Sequence, residues 1–231
     1  MLKEKKISRY LLYALGEIIL VVIGILIALQ LNTWREHQKT KAKERILLLE
    51  LKENLKESLV ELEDVKSYNL KTIASNTLIS NALIKKLPYS KSMDSAFYKI
   101  RYWASPYLTY TAYETIKNVG IDIISDAKLR KSIVNLYESK YENLIKDYDG
   151  AEWILAESVT YPLTTKYVRK DLNAQTSRPN DYETLKTNDE FINMLHEIIH
   201  MRRSGIKDIT STMRETQKVI DLINKEINNF D

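Results

Sequence analysis

A chain of 231 residues with 5 glycines and 4 prolines has too few turn residues for a β-sandwich or an α/β sheet of its size. It contains no cysteine, which excludes disulfides, thiolate chemistry and cysteine-ligated zinc. The formal net charge of +4 comes mostly from Lys3, Lys5, Lys6 and Arg9; the remainder is close to neutral and lacks the basic footprint of a nucleic-acid binder.

Residues 1–9 form a short basic tail. The run from Tyr10 to Leu31, YLLYALGEIILVVIGILIALQL, follows with one ionisable side chain, Glu17. As a helix it covers about 33 Å, enough for a hydrocarbon core of about 30 Å. Tyr10, Tyr13 and Trp34 stand near its ends, where amphipathic rings prefer the headgroup zone. A cleaved signal peptide shares the basic start, but this apolar run is too long and no small-x-small site follows it. One transmembrane helix over 10–31 is therefore expected, with the lipid bilayer as its partner. Lys and Arg nearly balance across the run, with Arg35, Lys39, Lys41, Lys43 and Arg45 on the far side. The short tail is the easier part to retain, which points to a cytoplasmic N-terminus and an exported C-terminal domain.

Glu17, Gly24 and Ala28 share one face of this helix. Gly24-x-x-x-Ala28 lets another helix approach closely, and a carboxyl group within a bilayer usually faces protein or water. A packing face in a homo-oligomer, or against another envelope protein, is the favoured reading. The alternatives are a protonated or snorkelling Glu17 without a role, and a proton or ion path.

The stretch YLLYALGEIILVVIGILIALQLNTW resembles the N-terminal signature of a bacterial domain-of-unknown-function family, whose members carry a YAxGEIxLVVIGILIALQxNxW anchor. Residues Thr109 to Tyr137, TYTAYETIKNVGIDIISDAKLRKSIVNLY, resemble that family's central block, with Ile121 and Asp122 where Leu is commoner. The resemblance implies a single-pass envelope protein of a Gram-negative bacterium, in the inner membrane. It implies no activity and carries no catalytic residues over.

Residues 32–231 are expected to form an α-helical soluble domain. The anchor helix runs on to about residue 87, with Leu48, Leu51, Leu55, Leu59, Leu62 and Val65 at three- and four-residue steps and Pro88 as the stop. The apolar spacing suits packing within a bundle better than a coiled coil. Helices are predicted over Ser92 to Trp103 and Thr111 to Val119, the latter ending on Gly120. Ser125 or Asp126 caps the next helix, which runs to Tyr148 or beyond, with Gly150 and Pro162 able to bend or break it. Residues 171–188 read as a long loop. Thr187 and Glu190 make a capping box for a last helical region whose seam is Ile206, Ile209, Met213, Ile220, Ile223 and Ile227. The chain closes on polar INNFD, so no second span is expected.

One catalytic pattern occurs, His196-Glu197-x-x-His200. On a helix the two His can ligate zinc, with the Glu as general base on bound water. Here His196 and His200 align with Asn193, Arg203 and Lys207, while Phe191, Leu195, Ile198 and Ile199 form the apolar face. Nearby cations weaken a metal site, so a solvated helix face is favoured over incidental metal binding or a zinc hydrolase. Tyr98, Tyr102, Tyr107, Tyr110 and Tyr113 crowd around Trp103 and Pro106; filling the joins between helices is favoured over lining a cleft. No P-loop, G-x-G-x-x-G or G-x-S-x-G is present, and no cofactor is expected. The sequence thus reads as all-α: a transmembrane helix continuing into a bundle, with a non-enzymatic interaction or scaffold role in an envelope complex. A proton- or ion-coupled transport accessory using Glu17 is the alternative from another class.

Overall fold

With no glycine or proline between Ile25 and Leu87, nothing interrupts helical hydrogen bonding along this part of the chain. In the computed structural model the segment belongs to one helix, α1 (Leu2–Ile84), of 83 residues. The structure describes the backbone of residues 2–229 and the side chains of residues 13–229; the side chains of the basic tail and of Tyr10 lie outside the described residues. Residues 13–43 of α1 are exposed all round. From Glu44 onward a buried stripe begins, with Leu48, Leu51, Leu55 and Leu62 fully enclosed.

The helix stops before Pro88. Lys86 adopts a left-handed φ of 53°, the Leu87 N–H reaches the Ala82 carbonyl at 2.9 Å, and the Lys86 N–H reaches that of Leu83 at 3.0 Å. This pair of bonds is a Schellman ending, which satisfies two carbonyls that the last turn would otherwise orphan.

The chain then returns beside α1 as a broken lane. The helix expected over Ser92 to Trp103 is reduced to a 3₁₀ turn (Lys91–Met93) and α2 (Asp94–Lys99). An irregular stretch leads to α3 (Thr111–Val119), which ends as predicted on Gly120, at φ 111°. Among the two predicted caps, Asp126 is the one used: its Oδ1 accepts the Leu129 N–H at 2.6 Å.

Residues 127–167 form an uninterrupted helix, α4, which passes Gly150 and Pro162 without a break. Three π-helical stretches widen it: Leu136–Tyr141, Leu144–Asp149 and Ala156–Thr160. Its buried positions explain them. Ile133, Tyr137 and Tyr141, then Tyr148, Glu152, Ala156, Thr160 and Thr164, recur every fourth residue. An α-helix of 3.6 residues per turn would rotate such a row off the bundle, and wider turns bring it back. The last π stretch also precedes Pro162, whose ring would crowd the carbonyl four residues back in a tight α turn.

The segment expected as a loop over 171–188 instead contains a strand, Ser177–Pro179 (β2), which pairs antiparallel with Val168–Lys170 (β1) just before it, Arg169 facing Arg178. A short helix α5 (Tyr182–Leu185) follows, and then α6 (Asp189–Asn228), a single helix of 40 residues. Asn188, one position after the predicted Thr187, caps α6: its extended backbone aims Oδ1 at the Phe191 N–H, 3.0 Å away. The Thr187 N–H instead finishes the turn of α5 by reaching the Thr184 carbonyl.

Three apolar layers stack along the bundle. Nearest the exposed stretch of α1, Leu51 and Leu55 pack with Ile133, Tyr137, Ile220 and Ile223. In the middle, Leu62 and Val65 meet Leu144, Tyr148 and Ile209. At the far end, Ile79 and Leu83 meet Leu155, Leu163, Phe191 and Ile198. This order makes α4 parallel to α1 and α6 antiparallel to both. Each fully enclosed Leu or Ile contributes about 1.5–3 kcal/mol.

The irregular lane has no strand neighbour, and buried backbone groups must still be paired. Side chains of α1 pair them. The Ala112 N–H donates to Asn54 Oδ1 at 2.8 Å, that of Thr109 to Ser58 Oγ at 3.2 Å, and that of Tyr107 to Glu61 Oε1 at 3.1 Å. Asn69 binds Ala104 through both amide atoms, at 2.8 and 3.1 Å, and Glu44 accepts the Ser125 N–H at 2.7 Å.

Candidate functional site

Glu17, Gly24 and Ala28 lie on one face of α1 and are exposed. A Cβ added at Gly24 would meet nothing within 4 Å, so no described part of the chain covers this face. Around it Ile18, Leu20, Val21 and Val22 are about half exposed or more, which makes the segment apolar on every side. The helix is long and apolar enough to cross a membrane.

The His pair projects from α6 towards the far end of α1. His196 Nε2 lies 2.9 Å from Ser80 Oγ, and both His line a shallow groove with Thr77, Asn81 and Arg203. Phe191, Leu195, Ile198 and Ile199 are buried, as their spacing predicts, with Ile199 at the floor of the same groove. Glu197 lines a different groove, with Leu155, Val159 and Met194. Among the described residues no three His, Asp or Glu side chains come together as a metal-ligand group. Glu215 is about 22 Å beyond His200 along α6 by helical rise, too far to share a metal with the His pair. It pairs with Lys218 instead, and Glu226 lies further still, beside Ser125.

The tyrosines divide into two sets. Tyr113 stacks on Tyr137 at 4.2 Å, and Tyr110 and Tyr141 meet Tyr137 edge-on, so these fill the layer nearest the exposed stretch of α1. Burial pushes the Tyr110 phenol up to about 12. Tyr102 and Tyr107, in contrast, line an open groove of about 530 Å³ with Trp103, Tyr68 and Trp153. The expectation that this cluster only fills joins between helices is thus corrected for its first half. An irregular lane cannot turn every aromatic inwards as one helical face does.

The groove is held from beneath. The Trp103 Nε1–H donates to Asp149 Oδ1 at 3.0 Å, Ser105 Oγ donates to the same oxygen at 2.6 Å, and Trp103 meets Trp153 edge-on at 5.0 Å. Glu61, Asp64 and Arg101 supply charge of both signs along its walls. The Arg101 guanidinium lies 4.7 Å from the centre of the Tyr161 ring. Lys170 donates to the Tyr102 hydroxyl at 2.9 Å and thereby holds that phenol below its ordinary range.

Sequence reasoning missed one buried pair. Arg202 Nε donates to Glu152 Oε1 at 3.1 Å, and the two residues are 1% and 2% exposed. Burial pushes the Glu152 carboxyl up, and Arg202 opposes that shift. Among the described residues Arg202 Nη1 has no hydrogen-bond partner. A signal existed in the sequence: Arg202 falls in phase with Leu195, Ile198 and Ile209 on the apolar face of α6. Beside the pair, the Tyr148 ring occupies the space where Gly205 lacks a side chain.

A family model described as "Family of unknown function (DUF6090)" matches residues 17–203, from Glu17 in the exposed stretch of α1 through the irregular lane and α4 into α6. No curated protein and no solved structure matches the chain.

Proposed function

The chain belongs to the DUF6090 family of unknown function, and from that premise we propose that it is a membrane-anchored, non-enzymatic interaction protein of the bacterial envelope. The observation that carries this reading is the apolar stretch of α1, of which 0% is buried within the molecule. Leaving such side chains in water costs about 1.5–3 kcal/mol each, and a bilayer removes that cost. The stretch continues into the bundle through a helix without a glycine or proline hinge, so the anchor sets where the bundle stands. The basic tail stays in the cytoplasm, and the bundle stands in the periplasm.

The face of Glu17, Gly24 and Ala28 packs against the same face of a second copy. A charged side chain deep in a bilayer costs roughly 2.5–3.5 kcal/mol, and a neighbouring helix offers hydrogen-bonding partners that lipid does not.

The cysteine-free chain makes the test clean. Gly24→Cys is expected to give an oxidised dimer in membranes, whereas Val22→Cys, on the opposite face, is not. Leu172→Cys, in the exposed connection between β1 and β2, is expected to react with a membrane-impermeant maleimide from the periplasmic side. Recovery of the chain in the soluble fraction defeats the anchor. Equal crosslinking at residues 22 and 24 defeats the packing face.

A further inference from the structure

We propose that the aromatic groove between α1, the irregular lane and α4 binds a sugar chain. This reading is independent of what the anchor packs against. Its first ground is aromatic surface left open to solvent: Tyr107 is 79% exposed, Trp153 47% and Tyr68 41%, all three on one groove. Aromatic side chains gathered on one concave surface with a few polar groups among them are the usual lining of a ligand site. Its volume of about 530 Å³ lies in the range of small-ligand sites and fits a short oligosaccharide segment.

Charge decides the class of ligand. An organic cation would find aromatic faces, but Arg101 already lies over Tyr161, and Lys170 lies 5.3 Å and 5.6 Å from the Tyr98 and Tyr102 ring centres. An anion would meet Glu61 and Asp64 on the α1 wall. A purely apolar segment would desolvate the Asp64 carboxylate with nothing to pair it, which is costly. A pyranose ring matches both features. Its C–H face lies flat on an indole or phenol, and its equatorial hydroxyls donate to carboxylates and accept from a guanidinium.

Preorganisation supports binding by a shallow site. Trp103 is fixed by Asp149 and Trp153, and the backbone of Ala104 is fixed by both amide atoms of Asn69, so little ordering remains to be done when a ligand arrives.

The chain has 3 tryptophans, and two of them line the groove. Full-length protein carrying Trp34→Phe, in micelles of a detergent without a sugar headgroup, therefore reports on the groove through indole emission. Soluble oligomers of N-acetylglucosamine and of glucose serve as probes, with tetramethylammonium chloride and inorganic phosphate as opposing probes. At least one oligosaccharide series is expected to shift the emission saturably, with affinity rising with oligomer length. Tyr107→Ala and Asp64→Asn should each weaken binding several-fold, and Trp153→Ala at least tenfold. These side chains lie at the groove surface, and circular dichroism of each variant checks that the helices persist. No saturable response to either series below about 10 mM overturns the proposal, as does saturation by tetramethylammonium or phosphate alone. So does oligosaccharide binding that survives both Trp153→Ala and Tyr107→Ala.

Discussion

Residues 18–31 and 47–83 of α1 share one helical backbone and have opposite surroundings. In the first, Ile18, Ile19, Leu20, Val21, Val22 and Ile23 follow one another and all are exposed. In the second, Leu48, Leu51, Leu55 and Leu62 are wholly buried, while Glu53, Lys56 and Glu57 between them stay in water. A helix that is apolar all round needs an apolar medium on every side, whereas a stripe needs only neighbours along one face. The same covalent element thus carries two kinds of surface. If the first stretch enters a bilayer as proposed, substitutions in the bundle should disturb folding and spare insertion, and substitutions in the first stretch should do the reverse.

The largest effect is expected at Arg202. Arg202→Met leaves the buried Glu152 carboxyl without its charge partner and should cost about 3–5 kcal/mol, read as a lowered midpoint in denaturant unfolding. Arg202→Met with Glu152→Met should recover most of that loss, since burying a well-packed apolar pair is often neutral or better. Membrane insertion should be unchanged in both. Failure of the double variant to recover would show that the pair is held by more than mutual charge.

Asn69→Leu comes next. It removes both bonds to the Ala104 backbone and the one to the Tyr148 hydroxyl, which should cost roughly 2–4 kcal/mol. Amide hydrogen exchange should rise first at residues 102–110. Uniform loosening of the whole bundle instead would mean that the irregular lane is held mainly by its apolar contacts.

The two regions can be compared directly through glycine. A Cβ at Gly205 would stand 2.1 Å from the Tyr148 ring, whereas one at Gly24 would meet nothing. Gly205→Ala should therefore cost roughly 1–3 kcal/mol through overpacking. Gly24→Ala should leave the unfolding midpoint of the bundle where it is. Equal effects at the two positions would erase the distinction between the two stretches.

The smallest effect is expected from His196→Ala with His200→Ala. The pair is exposed, with one hydrogen bond to Ser80, and the change in stability should stay within about 0.5 kcal/mol. Stoichiometric zinc in the purified protein, lost in the double variant, would overturn the reading of this pair as a solvated helix face.

Much of the fold is legible without coordinates because its signals are local. The uniformly apolar run, the stripe after it, the absence of glycine and proline from Ile25 to Leu87, and the boundaries at Gly120 and Asp126 each depend on adjacent residues. Of the candidate site residues, the Glu17, Gly24 and Ala28 face is pure helical phase, and so is the exposed side of α6 that carries His196 and His200. Tertiary contact alone decided the rest. Asn54, Ser58 and Asn69 are ordinary polar residues of a helix until a chain without secondary structure needs their amides and hydroxyls. The π turns of α4 follow from a four-residue burial row that has meaning only against neighbouring helices. Trp103 and Trp153 are far apart in the chain, and nothing local reveals that they share a groove. Periodicity is written in the order of residues; the pairing of distant polar groups and the closing of a groove exist only once the lanes lie side by side.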